Sequence, residues 1–174
     1  MPEQTHERIA MAKRMFKHAC AFMDCTYFCH TELKNSKYQM TQTLGIPDIV
    51  ISCFSCEVYI KSLLLLQGES ISEIRNMKHH IQSLWKKYEQ VDPVSAQSFL
   101  DFFQVHWSKP SFEKAIMTID NNFQDVRYLY EDVKGNTRSN RTFLLYFSSG
   151  LRDFCCYKIH GCNWGEFVAA GCEW

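Results

Sequence analysis

The chain has no excess of charge of either sign. Nineteen basic and nineteen acidic side chains give a formal net charge of zero. That balance removes the electrostatic footprint of a dedicated, strongly basic nucleic-acid binder and leaves room only for a local patch. The first residues, Met-Pro-Glu-Gln-Thr-His-Glu-Arg, lack the basic start and apolar core of a secretory signal, so a cytoplasmic location is expected. No glycine-rich phosphate loop, Gly-x-Ser-x-Gly elbow or His-Glu-x-x-His pair occurs, which leaves those enzyme classes without support. Strand-like alternation, internal repeats and low-complexity segments are also missing. Cysteine is not scarce, but the nine thiols (Cys20, Cys25, Cys29, Cys53, Cys56, Cys155, Cys156, Cys162 and Cys172) are odd in number and lack framework spacing. Free thiols are the simplest reading.

What the chain has is apolar and aromatic bulk. With 174 residues, 46% apolar and 14% aromatic, it can bury a core without disulfide staples. One helical-bundle domain is expected over residues 1–160, with 161–174, which shows no strong period, as a packed or frayed C-terminal tail. The most apolar run, Asp48 to Gly68, is predicted to be the central helix, because a helix apolar on nearly every side is a buried one. Glu57 and Lys61 lie in its middle. Val50 to Leu66 is near the lower limit of about 17 residues for a membrane span, and charge at mid-bilayer is costly, so no membrane partner is expected.

Amphipathic segments are expected around that helix. Thr5 can cap a helix in which Ile9, Ala12, Phe16, Ala19, Cys20, Met23, Tyr27 and His30 recur at three- and four-residue steps, ending near Leu33. Residues 34–46 are polar, contain Gly45 and read as a loop. Pro47 and Asp48 suit the first turn of the central helix, and Gly68 can supply the left-handed residue that stops it. Residues 69–77 read as a short connector with room for one helical turn. Ile81, Leu84, Trp85 and Tyr88 line the next helix, which Asp92-Pro93 ends. Phe99, Phe102, Phe103 and His106 form a further stripe. Ser111 caps a long helix with Phe112, Ala115, Ile116, Ile119, Phe123, Val126 and Tyr130 inward. After a turn at 133–141, Phe143, Leu144, Phe147, Leu151, Phe154 and Cys155 repeat helically to about Ile159. Five or six helices around one core predict an all-α antiparallel bundle.

Charged residues inside apolar surroundings need partners. Glu57 and Lys61 are four apart in the favourable order and can meet along one helix. Arg127 and Glu131 repeat the spacing with the signs reversed, and a pairing of Glu57 with Arg127 across the bundle would complete a structural polar network of Glu57, Lys61, Arg127 and Glu131. The alternative is a polar pocket for a nucleotide or other ligand. Lys134, Arg138 and Arg141 make a basic turn that is either a solvated loop or an RNA phosphate contact aided by Tyr128 or Tyr130. Cys53-Phe-Ser-Cys56 and Cys25-Thr-Tyr-Phe-Cys29-His30 have spacings that zinc can use, but both lie in predicted helices where cysteine is a small apolar packer, so no metal and no cofactor are expected. Phe102, Phe103 and Trp107 are either core or a protein-contact face.

Ser55-Cys-Glu-Val-Tyr-Ile-Lys-Ser-Leu-Leu-Leu-Leu66, followed by His79-His80-Ile-Gln-Ser-Leu-Trp-Lys-Lys-Tyr88, resembles the paired segments of HEPN-like (higher eukaryotes and prokaryotes nucleotide-binding) helical domains. Asn122-Phe-Gln-Asp-Val-Arg-Tyr-Leu-Tyr-Glu131 resembles the Arg-Tyr-x-Tyr-Glu segment found later in some of them. The resemblance spans about residues 45–150 and rests on short patterns. It implies a helical bundle, often a homodimer, in bacterial defence, toxin or RNA-processing contexts. Active members use an Arg and a His separated by four to six residues, and Arg75-Asn-Met-Lys-His-His80 has that spacing. His80 sits where the family has a non-catalytic histidine before the short helix, and Arg127 has no histidine in range.

By this resemblance, Arg75 and His80 from two protomers would flank an RNA phosphate without metal, His80 moving the 2′-hydroxyl proton and Arg75 offsetting phosphoryl charge. Asn76 would orient the phosphate or the ring. In the plain alternative Arg75 and His79 are solvated connector residues and His80 caps the short helix. The leading expectation is a cytoplasmic RNA- or nucleotide-associated or protein-interaction module. A metal-independent endoribonuclease and a purely structural interaction domain are the alternatives.

Overall fold

A computed structural model describes residues 2–35, 41–103, 107–120 and 140–171. The fold is all-α. Eight helices occur among the described residues: α1 (Pro2–Asn35), α2 (Thr41–Leu66), α3 (Ile71–Asn76), α4 (Ile81–Val91), α5 (Pro93–Phe103), α6 (Lys109–Asp120), α7 (Arg141–His160) and α8 (Trp164–Ala169). The excess over the five or six expected comes from α3 and α8, single-turn to two-turn pieces whose six residues show too little periodicity to read. Each is nucleated by a capping box instead: Ser70 with Glu73, and Asn163 with Glu166.

α2 begins earlier than its proline suggested. Pro47 lies inside the helix, where its missing N–H forfeits only the bond to the Thr43 carbonyl one turn back. At the other end Gly68 adopts φ 102°, and two reversed bonds, Gly68 N to Leu65 O and Glu69 N to Leu64 O, both 3.2 Å, close the helix. A left-handed residue followed by this pair of bonds is the Schellman stop.

Three long helices form the centre. Across α1 and α2, Ser62 Oγ donates to Ala12 O (2.9 Å), Tyr59 OH to Cys20 Sγ (3.3 Å) and Ser52 Oγ to Thr26 Oγ1 (3.3 Å). The partner numbers fall on one helix as they rise on the other, so the two are antiparallel. α7 runs antiparallel to α1, with Tyr27 OH donating to Ser149 Oγ and Arg152 paired with Asp24. Small buried residues at this seam, Ala12, Ala19, Ser52, Ser55 and Ser62, let the backbones approach closely, and the serine hydroxyls of α2 are satisfied on carbonyls.

A second layer is aromatic. Trp85 of α4, Phe99 and Phe103 of α5, Phe112 of α6, and Phe143 and Phe147 of α7 pack ring to ring, with Phe99–Phe103 stacked at 4.8 Å and Phe143–Phe147 stacked at 5.5 Å. Phe103 is therefore core, Trp107 is half-buried against it, and only Phe102 of the three candidate contact aromatics is exposed, at 69%. The core extends past residue 160. Phe167 is 3% exposed and stacks on Trp164, with its ring 4.5 Å from His160. Burying one such ring is worth roughly 1.5–3 kcal/mol, enough to hold so short a helix in place.

Pro47–Leu66 is long and apolar enough to cross a membrane by composition, and 67% of its most apolar window is buried inside this fold. The expected extension of α6 through Phe123, Val126 and Tyr130 falls outside the described residues.

Candidate functional site

The polar site sits where the turn between α3 and α4 crosses the middle of α2. Glu57 is 5% exposed. One of its oxygens receives Lys61 Nζ at 2.6 Å along the same helix, and the other accepts Nδ1–H of His79 at 2.9 Å. Lys61 also donates to the Lys78 carbonyl at 2.8 Å. That carbonyl is aimed by the backbone, since Lys78 is the only non-glycine residue at positive φ (51°) among the described residues. Its left-handed conformation ends the α3 turn and directs the chain back over α2. Buried charge in α2 is thus answered partly by its own helix and partly by the turn above it.

His80 follows directly. It occupies the N-cap position of α4 but makes no side-chain cap bond, contrary to the plain alternative reading. Asp120, at the end of α6, does the capping: its Oδ1 accepts from Gln82 N at 2.8 Å, while Oδ2 lies 3.5 Å from His80 Nδ1. An aspartate from another helix can fill this role because the first N–H groups of α4 have no partner of their own. Two adjacent histidines, each about half exposed at the side chain (46% and 47%), are therefore oriented through Nδ1 by two carboxylates from different helices. Beneath them Cys53 is inert, its thiol pushed up to about 12 by burial, with the nearby charges of Glu57 and Asp120 adding to the effect.

Arg75 and Asn76 lie on the exposed face of α3 at the edge of this turn, and the Arg75 side chain has no partner among the described residues. An aromatic strip flanks the opposite side: Phe22 stacks on Phe54 at 5.8 Å, and Phe54 meets His79 edge-on at 6.0 Å.

Arg141 is not in a solvated turn as expected. It is the first residue of α7, and its guanidinium bonds buried Asp48 through both Nη2 and Nε, the latter at 3.1 Å. Arg141 also borders a cleft of about 460 Å³ with Tyr27, His30, Tyr146 and Ser149. Arg127, Glu131, Lys134 and Arg138 lie outside the described residues, so the proposed partnership of Glu57 with Arg127 and the rest of the basic turn are not placed; the partners seen on Glu57 are Lys61 and His79.

The paired cysteines sit as helix residues. Cys53 and Cys56 are buried in α2, with burial pushing the Cys56 thiol well above its usual range; in α1 Cys29 is buried and Cys25 exposed. Among the described residues no three His, Cys, Asp or Glu side chains converge as metal ligands. Sequence reasoning missed Asp120 and the pairing of His79 with Glu57; the doubled His79-His80 was the visible signal, but what faces each ring is a tertiary fact. Comparison with protein-family models, with curated proteins and with solved structures finds no match to this chain.

Proposed function

We propose that this protein is a HEPN-like helical domain that engages RNA or nucleotide phosphates, in a bacterial defence, toxin or RNA-processing context, at the rim formed by Arg75, Asn76, Lys78, His79 and His80. The observation that carries the reading is the pair of histidines held through Nδ1 by Glu57 and Asp120, with Arg75, whose side chain has no partner among the described residues, on the exposed face of α3. Exposed arginine and lysine are suited to phosphate oxygens, and the His80 ring, oriented at Nδ1 by Asp120, keeps its other edge turned to a ligand. The network of Glu57, Lys61 and Asp120 gives the rim its rigidity, which spares binding the cost of ordering it. A cytoplasmic homodimer would bring two such rims together.

A second reading, metal-independent phosphodiester cleavage, is favoured by one detail. With Nδ1 facing Asp120, Nε2 of His80 has no partner among the described residues and is the nitrogen left to take a proton. Arg75 would stabilise charge on the phosphoryl oxygens. Titration of a fluorescent single-stranded RNA with the purified protein over a series of salt concentrations tests the binding reading. Affinity that falls with salt supports it, and salt-insensitive or absent binding contradicts it. Gel analysis of the same mixtures in chelator tests cleavage.

A further inference from the structure

We propose that the cleft between the first turns of α1 and the α2–α3 corner binds a small monocarboxylate with a short apolar tail, its carboxylate seated on the guanidinium of Arg8. This inference is independent of the RNA reading. The cleft, of about 360 Å³, is lined by Arg8 and Met11 of α1, Leu65 at the end of α2, and Gly68 and Ile71 beyond it. Small-molecule sites have volumes of this order. Arg8 is half-buried, its Nε is buried without a hydrogen-bond partner, and its side chain has no ion pair among the described residues. The arginines buried elsewhere have acids: Arg141 has Asp48 and Arg152 has Asp24. A guanidinium drawn partly out of water with no acid beside it is costly to the fold. Such costs are kept at functional sites, where a ligand offsets them.

Gly68 leaves room for this group. It has no side chain where the backbone passes Arg8, whose Nη1 lies 3.4 Å from the position a Cβ would take. With Nε buried, the two Nη groups are the edge that a carboxylate meets, in two parallel bonds. Around that charge the walls are apolar: Leu65 is buried, Met11 packs half-buried on the core, and Ile71 keeps 38% of its surface exposed. Acids at the rim select the charge of the ligand. Glu69 is tied to Lys87 at 3.0 Å, and Glu7 is exposed. A dianionic phosphate would meet one guanidinium and two carboxylates, whereas a monocarboxylate matches the single cation. The negative end of α2 also favours a cation here, but that role needs charge alone and neither the fork nor the apolar wall.

A proton–nitrogen NMR titration of the full-length protein tests the site, because the Arg8 Nε–H, shielded from water, reports on its own guanidinium. Sodium hexanoate is the probe, with acetate, hexanol and inorganic phosphate compared at matched pH and ionic strength. Hexanoate should shift the Arg8 Nε–H and the amides of Gly68 and Ile71 saturably, with half-saturation on the order of 1 mM. Acetate, which lacks the tail, and hexanol, which lacks the charge, should each need about tenfold more. Arg8→Met should abolish the hexanoate shifts at Gly68 and Ile71, and Arg8→Lys, which keeps the charge but loses the fork, should weaken them. No saturable shift with hexanoate, an equal response to acetate, hexanol or phosphate, or shifts that survive Arg8→Met would each overturn the proposal.

Discussion

Glu57 and His79 are twenty-two residues apart in the chain and 2.9 Å apart in the fold, and the bond between them fixes where the α3–α4 turn crosses α2. Because the carboxylate is buried and serves Lys61 as well, replacing it with an amide leaves one acceptor oxygen for two donors and removes the charge that balances Lys61, which keeps its bond to the Lys78 carbonyl. Glu57→Gln should destabilise the protein by about 1–3 kcal/mol, the loss being moderated by the half-exposed imidazole. Urea unfolding with an unchanged slope would measure it; an unaltered midpoint would mean the network contributes nothing.

Asp120 separates capping from charge. Asp120→Ala should cost roughly 1 kcal/mol through the lost bond to Gln82 N, whereas Asp120→Asn retains an acceptor for the cap and removes only the charge facing His80. If the orientation of His80 serves RNA, both variants weaken binding while only the first loses substantial stability. Equal thermal shifts for the two would refute the capping assignment.

These two residues also show what the sequence could and could not reveal. Lys61 with Glu57, Gly68 as a helix stop and the inward stripe of Phe143, Leu144, Phe147 and Leu151 depend on neighbours along the chain, and local periodicity exposes such relations. Asp120 with Gln82, Glu57 with His79 and Arg141 with Asp48 join distant segments, and no spacing rule reaches across them. Arg141 illustrates the consequence. In sequence it belongs to a basic turn, yet the buried carboxylate of Asp48 turns it inward. The short helix α8 escaped for a different reason, since six residues cannot display a helical period and its capping box, Asn163 to Glu166, is the only local mark; α3, in a connector with room for one helical turn, carries the same mark in Ser70 to Glu73.

Gly150 is a packing residue in the middle of α7. A Cβ built on it would fall 2.6 Å from Cε2 of Phe103 and 3.2 Å from Cζ. Gly150→Ala gains about 1 kcal/mol of helix propensity but must displace a ring stacked on Phe99, at an overpacking cost of about 1–3 kcal/mol. A net loss of stability is expected by thermal unfolding. A gain would show that the α5–α7 contact yields freely.

His160 makes the corner between α7 and α8 sensitive to acid. Burial, with Lys13 nearby, holds its imidazole below the usual value of 6.5, against the rings of Phe16 and Phe167. A depressed folded-state value means the unfolded chain binds the proton more readily. The contribution of this group is therefore present above 6.5 and is lost as pH falls through the folded-state value. Acidification should lower the melting temperature of the wild type more than that of His160→Phe. Parallel pH profiles would contradict the assignment.

The most direct test of the account is the affinity of a fluorescent single-stranded RNA for the wild type and for the Arg75→Ala/His80→Ala double variant, measured by anisotropy at low salt beside their urea midpoints. Both side chains are exposed enough that stability should hold within about 0.5 kcal/mol, while affinity should fall on the order of tenfold or more as phosphate contacts are lost. Equal affinity and equal salt dependence in the two proteins would contradict the assignment of this rim as the RNA-facing site.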